Sequence, residues 1–143
     1  MVSQEVSRSF FDTNVLLYLF DNSVPEKKAR AQEVFSEEVE AGRAVLSTQV
    51  LQEFYVNATR KLAEPLPAAV AEAQVQDFAR LLLVRVDEAM ILAAIQRSRS
   101  RSFSFWDALI VEAALRGGAD RLLTEDLQHG QEMDGLRVEN PFV

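Results

Sequence analysis

The sequence contains no cysteine and a single histidine, His129. The first absence removes disulfides, thiol nucleophiles and thiolate metal sites together. The second excludes a multi-histidine zinc centre. Any metal site here must be built from oxygen ligands, which suit Mg²⁺ or Mn²⁺. His129 falls in an apparent loop after Asp126, where a solvated surface histidine is the default reading. Also missing is any apolar run approaching the ~20 residues that span a bilayer, and "MVSQEVSRSFF" lacks a basic start followed by a long apolar stretch. The chain therefore reads as soluble, cytoplasmic, not exported and without membrane contact. Cations are in deficit: 15 Lys+Arg stand against 22 Asp+Glu, a net charge of −7. That balance argues against a simple basic coat for nucleic acid, although bound cations reverse the sign of a site locally.

What is present supports one core. A chain of 143 residues with 48% hydrophobic residues buries enough apolar surface for a single domain, 1–143. No repeat and no Gly/Ser linker divides it, and the densest biased stretch is "RSRSRS", 97–102. Residues 8–12 read as a short strand, 14–20 as a helix start, and 25–41 as a helix opened by Pro25 and closed near Gly42. "AVLS" (44–47) reads as a strand, with Ser47 or Thr48 able to cap a helix through about residue 63. Pro65 and Pro67 break that helix, and a further helix over 67–80 leads to the strand "LLLVRVD" (81–87) and a helix from 88 to 101. Ser104 caps the next helix, which ends at the Gly117–Gly118 pair; "RLLT" (121–124) is a strand and "LRVEN" (136–140) a last short one. Strands alternating with helices predict an α/β fold: a central, mostly parallel sheet flanked by helices on both faces, with ligands bound beyond the carboxyl ends of the strands.

Four acids gain meaning from that rule. Asp12 ends the first strand between two apolar runs, "SFFDTNVLLYLF", where burying a charge is costly unless something compensates it. Asp12, Thr13 or Asn14 could equally cap the helix that follows. Glu53 lies at the margin of the apolar stripe Val50, Leu51, Phe54, Ala58 and Leu62, with Asn57 one turn on; a solvated glutamate is the plain alternative. Ser104-x-x-Asp107 has the form of a capping box, yet Ile110, Val111 and Ala114 share the helical face of Asp107 while Glu112 and Arg116 mark the opposite one. Asp107 is thereby aimed inward at a positive helix N-terminus. Asp126 falls just beyond "RLLT", as a turn residue or the cap of a short helix near Leu127, with Glu125 as its competitor. Clustered carboxylates raise one another's pKa unless a cation neutralises them, so a shared Mg²⁺ or Mn²⁺ site explains all four together. Asp12 and Asp107 occupy the most rigid positions and are the first choice of ligands; Glu53 and Asp126 are the second. In "QRSRSRSFSFW", Arg97, Arg99 and Arg101 are candidates to hold a phosphate backbone, and Phe103, Phe105 or Trp106 to stack on a flat ring. Their structural alternatives are a basic helix end and core aromatics.

The pieces "FFDTNVLLYLFD", "STQVLQEFYVNATRKL", "FSFWDALIVEAAL", "LLTEDLQHG" and "LRVENPF", in this order, make the chain resemble PIN-domain ribonucleases, in particular VapC toxins of bacterial toxin–antitoxin pairs. The resemblance spans nearly the whole chain. It implies a PIN-like fold, a Mg²⁺- or Mn²⁺-dependent endoribonuclease with catalytic acids at Asp12, Glu53, Asp107 and Asp126, and supporting polar groups at Thr13, Asn14 and Ser104. It further implies an RNA substrate, a cognate antitoxin partner and a homodimer. A haloacid dehalogenase-like phosphatase would need a second Asp where Asn14 stands, and a response-regulator receiver needs adjacent acids where Phe11 and Thr13 flank Asp12. A metal-binding or protein-interaction module without catalysis stays open, because fold does not imply activity.

Overall fold

The computed structural model describes residues 7–101 and 103–143. The first six residues, part of the stretch read for a leader, and Ser102 of the "RSRSRS" run lie outside them. The chain runs β1 (Ser9–Phe11), α1 (Thr13–Tyr18), α2 (Pro25–Glu40), β2 (Ala44–Ser47), α3 (Thr48–Arg60), α4 (Ala68–Phe78), β3 (Leu82–Val84), α5 (Glu88–Ser100), α6 (Phe105–Arg116), β4 (Arg121–Leu123), β5 (Glu132–Met133) and β6 (Leu136–Glu139). Four helices begin at an oxygen side chain that accepts from a first-turn N–H: Asp12 for α1, Ser47 for α3, Asp87 for α5 and Ser104 for α6. Among the described residues, no helix is long and apolar enough to cross a membrane.

The six strands form one sheet in the order β3-β2-β1-β4-β6-β5, parallel throughout except for the β5–β6 hairpin. The expected α/β architecture is therefore present. β5 is an addition to the expected elements. It arises at Asp134–Gly135, both with positive φ, the conformation a two-residue hairpin turn requires. Of the two readings of Asp126, the turn is the one present: no helix begins near Leu127, and the chain from Thr124 to Gln131 has no regular structure.

Side-chain alternation separates the faces. Phe11 meets Phe35 of α2 edge-on at 5.0 Å, and Phe35, Phe78 of α4, Phe54 of α3 and Phe20 continue the contacts into one aromatic cluster. On the other face, Val45 and Val84 lie under the end of α6. A Cβ on Gly117 would stand 2.7 Å from Val45 Cγ1, so glycine is what lets the helix come this close. Beneath α2 a buried ion network replaces apolar packing: Glu38 accepts from Ser9, Arg43 and Arg121, and Arg121 also holds Glu139 at 2.6 Å.

Strand order has a consequence for function. From β1 the chain winds outward to β2 and β3, then crosses back so that β4 lies on the other side of β1. The carboxyl ends of β1 and β4 thus bracket the point where the winding reverses, which in parallel sheets is where ligand crevices open.

Candidate metal centre

Asp12 leaves the end of β1 and Thr124 the end of β4, side by side: the Asp12 amide donates to the Leu123 carbonyl at 3.0 Å. Asp12 is only 6% exposed. Its Oδ1 accepts from Thr13 N, and Oδ2 accepts from the Thr124 hydroxyl at 2.8 Å and from Asn14 Nδ2 at 3.4 Å. Thr124 Oγ1 itself accepts from Asn14 Nδ2 and from the Asp126 amide, so its own proton must go to Asp12. These donors favour a charged carboxylate. Burial opposes them and, with the nearby Asp126 and Glu53, pushes the Asp12 carboxyl up to about 7.

Thr13 and Asn14 connect the acids to one another. The Thr13 hydroxyl donates to Glu53 Oε1 of α3 at 2.6 Å, and Asn14 Nδ2 donates to Asp126 Oδ2 at 2.9 Å. Ser104 accepts from the Asp107 amide, but no returning bond ties the Asp107 carboxylate to the Ser104 amide, so the capping box is only half closed. That carboxylate faces the cleft instead. Burial raises its pKa, the Ser104 hydroxyl lowers it, and Asp126 and Glu53 raise it further. The same two acids press on both Asp12 and Asp107.

All four acids, with Thr13 and Asn14, line one cleft of about 210 Å³ together with Leu17, Gln49, Asn57, Trp106 and Ile110. The choice between Glu125 and Asp126 follows from their contacts: Asn14 Nδ2 donates to both Thr124 and Asp126, which places Asp126 on the cleft, and Glu125 does not line it. Glu125 is held outside the cleft by the Tyr18 hydroxyl at 2.6 Å and by Lys27 Nζ at 2.9 Å.

Three residues in or behind the cleft escape sequence reasoning. Thr124 is wholly buried and looks like the end of an ordinary strand. Asn57 is visible only as a polar residue one turn from Glu53. Gln49, 5% exposed, donates through Nε2 to Glu53 Oε2 and to the Trp106 carbonyl. Both partners are acceptors, so the amide nitrogen must face them, and Oε1 is left buried without a partner. An orphaned oxygen in a cleft costs about 1–3 kcal/mol unless a cation or its water satisfies it.

The donor set therefore suits a hard cation: carboxylates and one free amide oxygen, with neither nitrogen nor sulfur ligands. Among the described residues no group of three acids is drawn close enough to hold an ion by itself.

The three arginines stand elsewhere. Arg97 gives Nε and a terminal nitrogen to Glu112, and that nitrogen also to Asp134 at 2.9 Å. Its side chain is 13% exposed. It tethers α5 to α6 and to the hairpin turn, and its guanidinium is already committed to those carboxylates. Arg99 and Arg101 are exposed at the end of α5, and none of the three lines the acid cleft. Trp106 does line it, 62% exposed and packed edge-on against Phe105. Phe103 packs partly buried against the core. His129 Nδ1 accepts from the Asn140 amide, so the ring closes a loop rather than a site.

Solved structures with the same architecture include VapC20 of Mycobacterium tuberculosis, described as a sarcin-ricin loop cleaving toxin. It is 20% identical with a TM-score of 0.63, over 80% of this chain and 86% of that one. A toxin–antitoxin complex from Klebsiella pneumoniae is 17% identical with a TM-score of 0.67, over 93% and 97%. DNA-bound VapBC from Salmonella typhimurium is 21% identical with a TM-score of 0.63, over 95% and 99%. At these identities the likeness is one of fold. No curated protein sequence matches the chain. The PIN domain family model matches residues 9–131, which include all four cleft acids and both strand ends that carry the site. On that match over most of its length, the chain belongs to the PIN domain family.

Proposed function

We propose that this chain is a Mg²⁺- or Mn²⁺-dependent endoribonuclease that hydrolyses RNA phosphodiester bonds, and that it is the toxin of a type II toxin–antitoxin pair. The observation that carries the reading is the single cleft lined by Asp12, Glu53, Asp107 and Asp126 at the β1/β4 reversal. Family membership supports the nuclease class. The fold shared with VapC20 and with two toxin–antitoxin complexes supports the toxin role, a cognate antitoxin as partner and a cytoplasmic site of action. A homodimer is proposed on the same grounds.

A bound divalent ion supplies charge relief for the phosphate and an activated water near neutral pH. Asp12 and Asp107 would hold it, one fixed at a strand end and the other at a helix head. Glu53 and Asp126, on the same cleft, would add negative charge to hold such an ion in place. The Thr13 hydroxyl and the Asn14 amide fix the carboxylates of Glu53 and Asp126, and Ser104 fixes the helix head that presents Asp107. Gln49 steadies the Glu53 carboxylate through its amide nitrogen. Trp106 offers an exposed indole on which a splayed base stacks.

The test is cleavage of total cellular RNA, with ends mapped after brief expression of wild type and of Asp12→Asn. Cuts made by wild type and abolished in a folded variant support the proposal. Equal cutting by both, or no Mg²⁺- or Mn²⁺-dependent cutting by purified wild type, overturns it.

A further inference from the structure

Next to the acid cleft lies a larger hollow of about 340 Å³, lined by Asn14, Leu17, Tyr18, Asp21, Asn57, Lys61 and Leu62. Three of these residues, Asn14, Leu17 and Asn57, line both spaces, so the two are one continuous trough along α1 and α3. The volume lies at the low end of the roughly 300–1,000 Å³ typical of small-ligand sites. Lys61 is the only Lys or Arg among the residues lining either part. Its ammonium makes no ion pair and no hydrogen bond among the described residues, although Asp21 shares the hollow; Ser23 donates its amide and its hydroxyl to Asp21 Oδ1, which turns that oxygen toward its own loop. The position at the C-cap of α3 favours a cation on helix-dipole grounds, which explains a lysine there but not the hollow it lines.

We infer that this hollow is a nucleotide subsite: it receives the residue next to the scissile phosphate and gives the enzyme its sequence preference. The inference rests on the nuclease reading of the adjoining cleft. Each part of a nucleotide finds a matching group. Leu17 is an apolar floor for a base. The Asn57 side-chain amide has both a donor and an acceptor for a base edge, and no partner among the described residues competes for it. Lys61 meets the flanking phosphate. In a chain of net charge −7, Lys61 is the one Lys or Arg among the described residues lining the trough, set against five carboxylates: Asp21 in the hollow and the four acids of the cleft.

The experiment has two arms. In the first, wild type, Lys61→Ala and Asn57→Ala cleave RNA with Mn²⁺, and cut ends, KM, kcat and salt dependence are recorded. Lys61→Ala should raise KM about tenfold, the scale of one charge-assisted hydrogen bond, with the loss falling on KM rather than kcat. It should also lower the slope of log affinity against log salt by about one. Asn57→Ala should change which nucleotide flanks the cut. In the second arm, the four ribonucleoside 5′-monophosphates are titrated into ¹⁵N-labelled wild type, and the amides of Leu17, Asn57 and Lys61 should shift. Variants that cut the same ends with unchanged KM, or monophosphates that move only distant amides, overturn the subsite. Absence of cleavage by wild type sinks the nuclease reading instead, and shifts at those three amides would still establish a nucleotide pocket.

Discussion

Replacing Asp12 by Asn should stabilise the metal-free protein above neutral pH, even though it removes the residue on which the site is centred. The buried carboxyl is held at about 7 against an ordinary 3.8. At about 1.36 kcal/mol per pKa unit, keeping it ionised at pH 8 costs the fold up to about 4 kcal/mol. The asparagine amide escapes that cost, but a nitrogen in place of Oδ2 cannot accept: Thr124 Oγ1, which already accepts from Asn14 and Asp126, loses the acceptor for its proton, and the longer Asn14 contact at 3.4 Å is lost with it. That loss costs about 1–3 kcal/mol, leaving a net gain of about 1–3 kcal/mol. The sign with pH follows from linkage. A folded value above the unfolded one means the cost is absent below about pH 4, grows between about pH 4 and pH 7, and is complete above that window. Urea unfolding in EDTA from pH 4 to pH 8 should therefore show the variant less stable than wild type at the acid end and more stable at the alkaline end. Saturating Mn²⁺ should stabilise wild type alone, closing the gap at pH 8. A difference between the two proteins that is constant with pH would refute the reasoning.

Other perturbations test neighbouring parts of the account. Gly117→Ala drives a Cβ to 2.7 Å from Val45 Cγ1 and should cost about 1–3 kcal/mol in denaturant unfolding, with m unchanged. Arg121→Ala strips one partner from the 5%-exposed Glu38 side chain and leaves Arg43, for a loss of about 2–4 kcal/mol. Hydrogen bonds to Ser9, Arg43 and Arg121 outweigh burial and hold the Glu38 carboxyl below its ordinary range, so its contribution is present above pH 4.5 and is lost as pH falls below that value; wild-type stability should show this acid limb and Arg121→Ala should show less of it. Trp106→Ala should leave stability nearly unchanged, since the ring is 62% exposed, and raise KM for RNA by about tenfold as one base loses its stacking surface.

The fold was readable because its signals are local and mutually consistent. Pro25 opens α2, Ser47 and Ser104 cap α3 and α6, Gly117 ends α6, and each apolar run between them has one period. β5 was missed although Asp134–Gly135 is a hairpin signal, because its strand is only two residues long. Glu53 showed only as an acid at the margin of the apolar stripe of α3, whereas Asp12, Asp107 and Asp126 could be proposed from position, since strand ends and a helix head are where such a sheet puts its crevice. Their support could not. Thr124 acquires its role only when the β1/β4 register sets it beside Asp12, and the Gln49 orphan exists only once Glu53 and Trp106 crowd its amide. Arg97 was a plausible phosphate contact in sequence, because Glu112 and Asp134, its partners, are 15 and 37 residues away.

The central claim is that carboxylates distant in sequence are gathered to share a divalent ion. Calorimetric titration of Mn²⁺ into wild type, Asp107→Asn and Glu125→Gln tests it most directly. Saturable binding by wild type, lost in Asp107→Asn and kept in Glu125→Gln, is the predicted result. Binding of equal affinity by wild type and Asp107→Asn, or no binding by wild type at all, would contradict it.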